Sequence, residues 1–95
     1  MLPVVTIEYC SQCRFILRAA WMAQEILMTF AEDVQEVSLR PGKGGVFNVY
    51  IDGELLYSKQ ESGRFPESSE LKQMMRDRIA PDKDLGHSDV KKQGE

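Results

Sequence analysis

The spacing of hydrophobic positions changes along this chain, and each change marks an element. Val4-Val5-Thr6-Ile7-Glu8-Tyr9 is β-branched and aromatic and predicts a strand over 4–9. From 11 to 32 the apolar period lengthens to that of a helix. Ile16, Ala19, Ala20, Ala23, Ile26, Leu27, Phe30 and Ala31 share one broad face, and Arg14, Arg18, Glu25, Thr29 and Glu32 lie opposite. No Gly or Pro interrupts this stretch. Val37 and Leu39 alternate weakly and predict a short strand over 34–39, closed by Pro41 and Gly42. Arg40-Pro41-Gly42-Lys43-Gly44-Gly45 is loop by composition.

The strongest local signal follows. Val46–Ile51 and Glu54–Ser58 flank Asp52-Gly53, the pair favoured in a two-residue hairpin turn of type I′. Phe47, Val49, Ile51 and Leu56 are expected on one face, with Glu54 and Ser58 at its ends. Tyr50, Leu55 and Tyr57 fall on the other with Asn48, so both faces are expected to be partly covered. Lys59–Phe65 is a polar loop containing Gly63. Pro66 suits a helix's first turn, Leu71, Met74, Met75 and Ile79 recur at helical spacing, and Pro81 ends that helix. Residues 1–81 therefore predict the domain. Asp82–Glu95, charged and holding only Leu85 and Val90 as apolar residues, predicts a mobile or loosely docked tail.

The order β-α-β-β-β-α describes an α/β chain of the two-layer α+β kind, with a parallel crossover first and an antiparallel hairpin later. A right-handed crossover sets the first two strands side by side and parallel. Their carboxyl ends then share one sheet edge with the loop that follows the hairpin. Cys10, Arg40–Gly45 and Lys59–Pro66 are expected to meet there, where α/β sites form.

Charge and length narrow the function. Ninety-five residues make one small domain, able to bury roughly 60–65% of its unfolded surface without a metal or a staple. Twelve basic against fifteen acidic residues give a net charge of −3, which argues against a nucleic-acid binder. No apolar run approaches ~18 residues, so no membrane partner is expected. Met1-Leu2-Pro3-Val4 lacks a basic start and a long apolar stretch, which predicts a cytoplasmic chain, either a monomer or a weak homodimer.

The chemistry rests on the two cysteines, in Tyr9-Cys10-Ser11-Gln12-Cys13-Arg14. A strand leads in and a helix leads out. Cys10 is expected just before the helix and Cys13 within its first turn, where unpaired N–H groups and the helix dipole favour a thiolate. Arg14 and Arg18 would add positive potential, and the thiolate is the reactive form. At the strand end, Cys10 is expected to be the more exposed sulfur. A purely structural staple is a poor account, because so short a loop removes only roughly 2 kcal/mol of chain entropy. Structural zinc needs four ligands, and two Cys plus His87 fall short, so no metal ligand set is assigned. CxxC beside a strand–helix–strand pattern reads as a redox pair, and it also marks soft-metal carriers.

Further residues make the pattern specific. Val5-Thr6-Ile7-Glu8-Tyr9-Cys10-Ser11-Gln12-Cys13, Gly45-Val46-Phe47-Asn48-Val49, Asp52-Gly53, Ser58-Lys59 and Gly63-Arg64-Phe65-Pro66 together resemble the selenoprotein W-like group, the SelT/SelW/SelH or Rdx family, over residues ~4–80. The resemblance implies a thioredoxin-like fold and a thiol-disulfide oxidoreductase in redox homeostasis or antioxidant defence. It implies Cys10 and Cys13 as the catalytic pair, acting on a protein disulfide or oxidised thiol. No dedicated cofactor is required, with glutathione or a thioredoxin-type reductant as electron donor. Selenocysteine in such proteins stands at the place of Cys13, whereas in thioredoxins the first cysteine attacks, the place of Cys10; the roles stay open. Where thioredoxins carry a cis-proline, this chain has Gly44-Gly45. The runner-up, a Cu(I) or soft-metal carrier, needs a final strand that Asp82–Glu95 does not offer. A redox-sensing adaptor that changes partner on oxidation is the third class.

Other residues join the expected edge. Ser11, Gln12, Lys43, Gly44, Gly45, Arg64 and Phe65 are candidate contacts for a substrate or partner, glutathione included. The Gly-Lys-Gly-Gly run is no phosphate loop, since a strand follows it. Trp21, with Leu17 and Met28, falls on a helix flank away from the apolar centre and is a candidate interface strip.

Overall fold

Seven elements follow one another in a computed structural model that describes residues 1–86 and residue 89: β1 (Val4–Cys10), α1 (Ile16–Phe30), β2 (Glu36–Gly42), β3 (Phe47–Ile51), β4 (Glu54–Ser58), α2 (Lys59–Ser62) and α3 (Ser68–Ile79). The four strands form one sheet in the order β2-β1-β3-β4. β1 runs parallel to β2 and antiparallel to β3, so the first crossover and the later hairpin stand as expected. Cys10 is thereby set opposite Gly42 on the neighbouring strand.

One face of the sheet carries the core. Val5, Ile7 and Tyr9 from β1, Phe47, Val49 and Ile51 from β3, and Tyr57 from β4 pack with Ala19, Met22, Ala23, Ile26 and Phe30 of α1 and Leu71 and Met75 of α3. Both long helices thus cover the same face. The other face holds a polar cluster: the Tyr50 hydroxyl donates to Glu8 (3.0 Å), Asn48 Nδ2 donates to Glu8 (3.3 Å), and Arg40 lies 5.2 Å over the Tyr50 ring. This face is partly covered, as expected: Asn48 and Tyr50 are half-buried in the cluster, while Leu55 stays 44% exposed.

Four readings are corrected. The buried stripe of α1 is rotated: Met22 is buried while Ile16, Leu27 and Ala31 are exposed. Glu25 consequently faces α3, where Lys72, itself buried, donates to it at 2.9 Å. In the hairpin, Asp52 (φ 50°) and Gly53 (φ 83°) form the expected turn, but a bulge follows at Val49/Tyr50, so Val49 pairs with Tyr57. One extra residue in a strand flips everything beyond it to the other face, which carries Tyr57 into the core and its hydroxyl to the Arg64 carbonyl (2.8 Å). β2 runs on through Arg40-Pro41-Gly42, read above as loop. Pro41 is tolerated because β2 is an edge strand. Within the expected polar loop, Lys59–Ser62 forms the short helix α2.

α3 opens on an electrostatic clasp. Both terminal nitrogens of the Arg64 guanidinium donate to the Glu70 carboxylate, at 2.8 and 2.6 Å, and the Glu67 N–H donates to it at 3.3 Å. The Arg64 hydrogen bonds, more than any other contact, hold the Glu70 carboxyl below its usual value near 4.5. A carboxyl with a depressed folded-state pKa stabilises above its unfolded pKa, and that contribution is lost as pH falls through the folded value. Glu70→Gln is therefore expected to cost a few tenths to about 1 kcal/mol at neutral pH, since the pair is largely solvated. The difference should vanish below the ordinary carboxylate range, as read from urea midpoints of both proteins at neutral and acid pH.

Beyond α3 the described residues return to the body of the domain. Lys83 pairs with Asp33 at 3.1 Å, Leu85 packs against the core, and Asp89 pairs with Arg76 at 2.8 Å. The rest of the expected tail lies outside the described residues.

Candidate active site

β1 ends at Cys10, and the chain turns through Ser11–Phe15 before α1 begins. Cys10 and Cys13 are joined as a disulfide, their Cα atoms 5.3 Å apart. The turn is closed by its own backbone: Arg14 N–H donates to the Ser11 carbonyl (3.2 Å) and Phe15 N–H to the Cys10 carbonyl (3.2 Å). Arg14 adopts a left-handed φ of 60°, a conformation costing a side-chain-bearing residue roughly 1–2 kcal/mol. A helix cannot run through that residue. The expectation that Cys13 lies in the first helical turn is corrected accordingly: it precedes Ile16, on the turn itself.

The two sulfurs occupy opposite environments. Cys10 is only 2% exposed, whereas Cys13 is exposed. This reverses the expectation that Cys10 is the more accessible. Cys10 is still a rung of the sheet: it stands opposite Gly42 and its N–H donates to the Val46 carbonyl at 2.8 Å. Cys13 lies past the last rung, beside the exposed Ser11 and Gln12.

The loop after β2 meets the pair through its ends. The Ser11 N–H donates to the Gly42 carbonyl at 3.1 Å, and the Ser11 hydroxyl reaches the same oxygen at 3.4 Å. A Cβ on Gly42 would come within 2.9 Å of Val46 Cγ1 and 3.2 Å of the Glu8 side chain, so glycine is what lets β2 pass this close to Val46. Between these anchors Lys43 is exposed, and Gly44 (φ 71°) and Gly45 (φ 77°) are left-handed in open space. Handedness, not crowding, demands glycine at both. Gln60 Nε2 donates to the Gly44 carbonyl (3.3 Å) and ties α2 to this loop.

The loop before α3 arrives differently. Arg64 is turned to Glu70, away from the cysteines. Phe65 packs edge-on against Phe15 (4.8 Å between ring centres) and Phe47 (5.2 Å). Arg18 stacks 4.2 Å above its ring and Lys59 5.1 Å from it. Phe65 therefore supports the cysteine turn through Phe15, linking it to the core. Sequence reasoning placed Gly42 at this edge within Arg40–Gly45 but missed Phe15 and Val46. The one available signal was Phe15, an apolar residue between the motif and the helical stripe.

Along α1 an open groove of about 570 Å³ is lined by Cys13, Arg14, Phe15, Leu17, Arg18 and Trp21. Leu17 is 76%, Trp21 48% and Met28 72% exposed. The first two line the groove, and Met28 stands further along the helix. Among the described residues no cluster of His, Cys, Asp and Glu could hold a metal ion.

Comparison with known proteins extends this geometry. The model of the Rdx family matches residues 4–77. Mouse migration and invasion enhancer 1 is 32% identical over 74 residues, covering 76% of this chain and 61% of that protein. The bovine protein of the same name is 31% identical over 72 residues, with the same coverage. The chain thus spans under two thirds of the length of these relatives. A Bordetella parapertussis crystal structure is 49% identical with a TM-score of 0.81, over 83% of this chain and 100% of that one. A selenoprotein W-related protein from Vibrio cholerae is 40% identical with a TM-score of 0.80, over 83% and 99%. The architecture is the thioredoxin-like one of these neighbours. Among the described residues no helix is long and apolar enough to cross a membrane.

Proposed function

The chain belongs to the Rdx family, and from that premise we propose that it is a thiol-disulfide oxidoreductase working through Cys10 and Cys13. The observation that carries the proposal is the pairing of an exposed Cys13 with a buried Cys10 at the end of β1. In the reduced protein the Cys13 thiolate attacks one sulfur of a partner disulfide. A Cys13–partner bond forms, and the partner's other sulfur leaves as a thiolate. The Cys10 thiolate then attacks Cys13 Sγ, closes the intramolecular disulfide and expels the partner's second thiolate. Two electrons pass from the Cys10/Cys13 dithiol to the partner, and the two protons go to the released thiolates.

Oxidised protein is returned to the dithiol by glutathione or a thioredoxin-type reductant, without an organic cofactor of its own. That supply belongs to a reducing, cytoplasmic setting. The double variant Cys10→Ser/Cys13→Ser tests the whole reading. Its exchange with a partner disulfide is expected to fall to the uncatalysed background, measured as thiol release against wild type at equal concentration. An unchanged rate would overturn the proposal.

A further inference from the structure

We propose that the groove beside Cys13 selects the partner: it takes a protein segment in which the reacting cysteine is flanked by an apolar and an acidic side chain. This rests on the oxidoreductase reading and adds a substrate class to it.

Four observations converge. First, Cys13 is itself part of the groove lining, so an occupant lies beside the sulfur that reacts. Second, Leu17 and Trp21 stand one turn apart on α1 and form an apolar row exposed by 76% and 48%. An indole beside a leucine is the kind of anchor that dominates binding energy when covered. Third, among the described residues the only charged groups in the lining are Arg14 and Arg18, although the chain as a whole carries −3. Among the described residues neither guanidinium has a carboxylate partner, and Arg18 is held in place by the Phe65 ring 4.2 Å away. An acidic side chain is attracted there and a basic one repelled, and guanidinium suits carboxylate geometry. Fourth, about 570 Å³ accommodates a few residues and falls in the range of sites that bind small ligands and short segments.

The test compares two peptides, Gly-Cys-Leu-Glu-Gly and Gly-Cys-Leu-Lys-Gly, each carried as a mixed disulfide with 2-mercaptoethanol. Reduced full-length protein is mixed with each, and with bis(2-hydroxyethyl) disulfide as a reference. The Glu peptide is expected to react about tenfold faster than the Lys peptide. In Arg14→Gln/Arg18→Gln the ratio should fall toward one. Because the ratio is taken within one protein, any change in Cys13 acidity cancels. A wild-type ratio near one, with all disulfides exchanging, overturns the groove and leaves the oxidoreductase reading standing.

If wild type exchanges none of them, the oxidoreductase reading fails. The groove is then judged on the Ser counterparts of the two peptides, titrated against Trp21 fluorescence, Trp21 being the single tryptophan. Preferential binding of the Glu form supports the groove, and equal or absent binding overturns it. Faster reaction of glutathione disulfide than of the Glu peptide would overturn it in favour of a small-thiol site. A concentration-dependent Trp21 emission shift that tracks a sedimenting dimer would overturn it in favour of a second copy of this chain.

Discussion

Cys13→Ser is expected to lower disulfide exchange by roughly two orders of magnitude or more, to background, whereas Cys10→Ser keeps the first attack and stalls on a covalent complex. The asymmetry follows from exposure. A partner disulfide must approach the attacking sulfur along its own S–S axis, and only Cys13 offers an open path. Cys10, 2% exposed and pinned to Val46 by its N–H, meets an external disulfide only when the end of the sheet opens. It is well placed for the second step, since its Cα lies 5.3 Å from that of Cys13 and their sulfurs are already within bonding reach. Mass spectrometry of Cys10→Ser after exposure to the partner should show one partner chain added, released by dithiothreitol. In alkylation of the reduced protein, Cys13 should react at least about tenfold faster than Cys10. Capture by Cys13→Ser and none by Cys10→Ser would reverse the two roles.

The sequence pattern carried some of this and could not carry the rest. Asp52-Gly53 announced its turn because few pairs tolerate left-handed φ at both positions, and both are left-handed here. The bulge beyond it left no trace, because Leu55-Leu56-Tyr57 is apolar throughout and reads equally well in either register. Arg14 has no intrinsic preference for a φ of 60°, so nothing in the residues around it marked the late start of α1. That one dihedral decided where Cys13 sits. The exposures of the two cysteines are not legible for a related reason: they depend on which residue makes the last rung with β2, and β2 outruns its apolar pattern through Pro41. The sheet edge was legible from strand order, and the loop over 42–46 does close on Cys10. Arg64 pairs with Glu70, six residues on in the first turn of α3, which offers it two oxygens. Leu17 and Trp21 showed themselves as a flank off the helical stripe. Their meeting with Cys13 in one groove required the turn geometry.

Phe47→Ala is expected to cost about 3–5 kcal/mol of stability, the range for removing a buried aromatic ring. Phe47 is 1% exposed and starts β3, directly after the residue whose carbonyl holds Cys10. A domain of this size holds about 5–14 kcal/mol in all, so the loss consumes much of it. The urea midpoint should fall steeply while the slope with denaturant stays constant, since the same surface is exposed on unfolding. Phe65→Ala should cost less, because its ring is only partly buried, yet it should disturb the site more directly. Removing it takes away the support of Phe15 and the stacking surface of Arg18 together. Phe47 also backs the Phe65 ring, so below the unfolding midpoint Phe47→Ala should slow disulfide exchange somewhat, and Phe65→Ala should slow it more although more of its stability survives. Equal losses of activity and stability in both variants would show that the aromatic cluster acts on the cysteine turn through global stability alone.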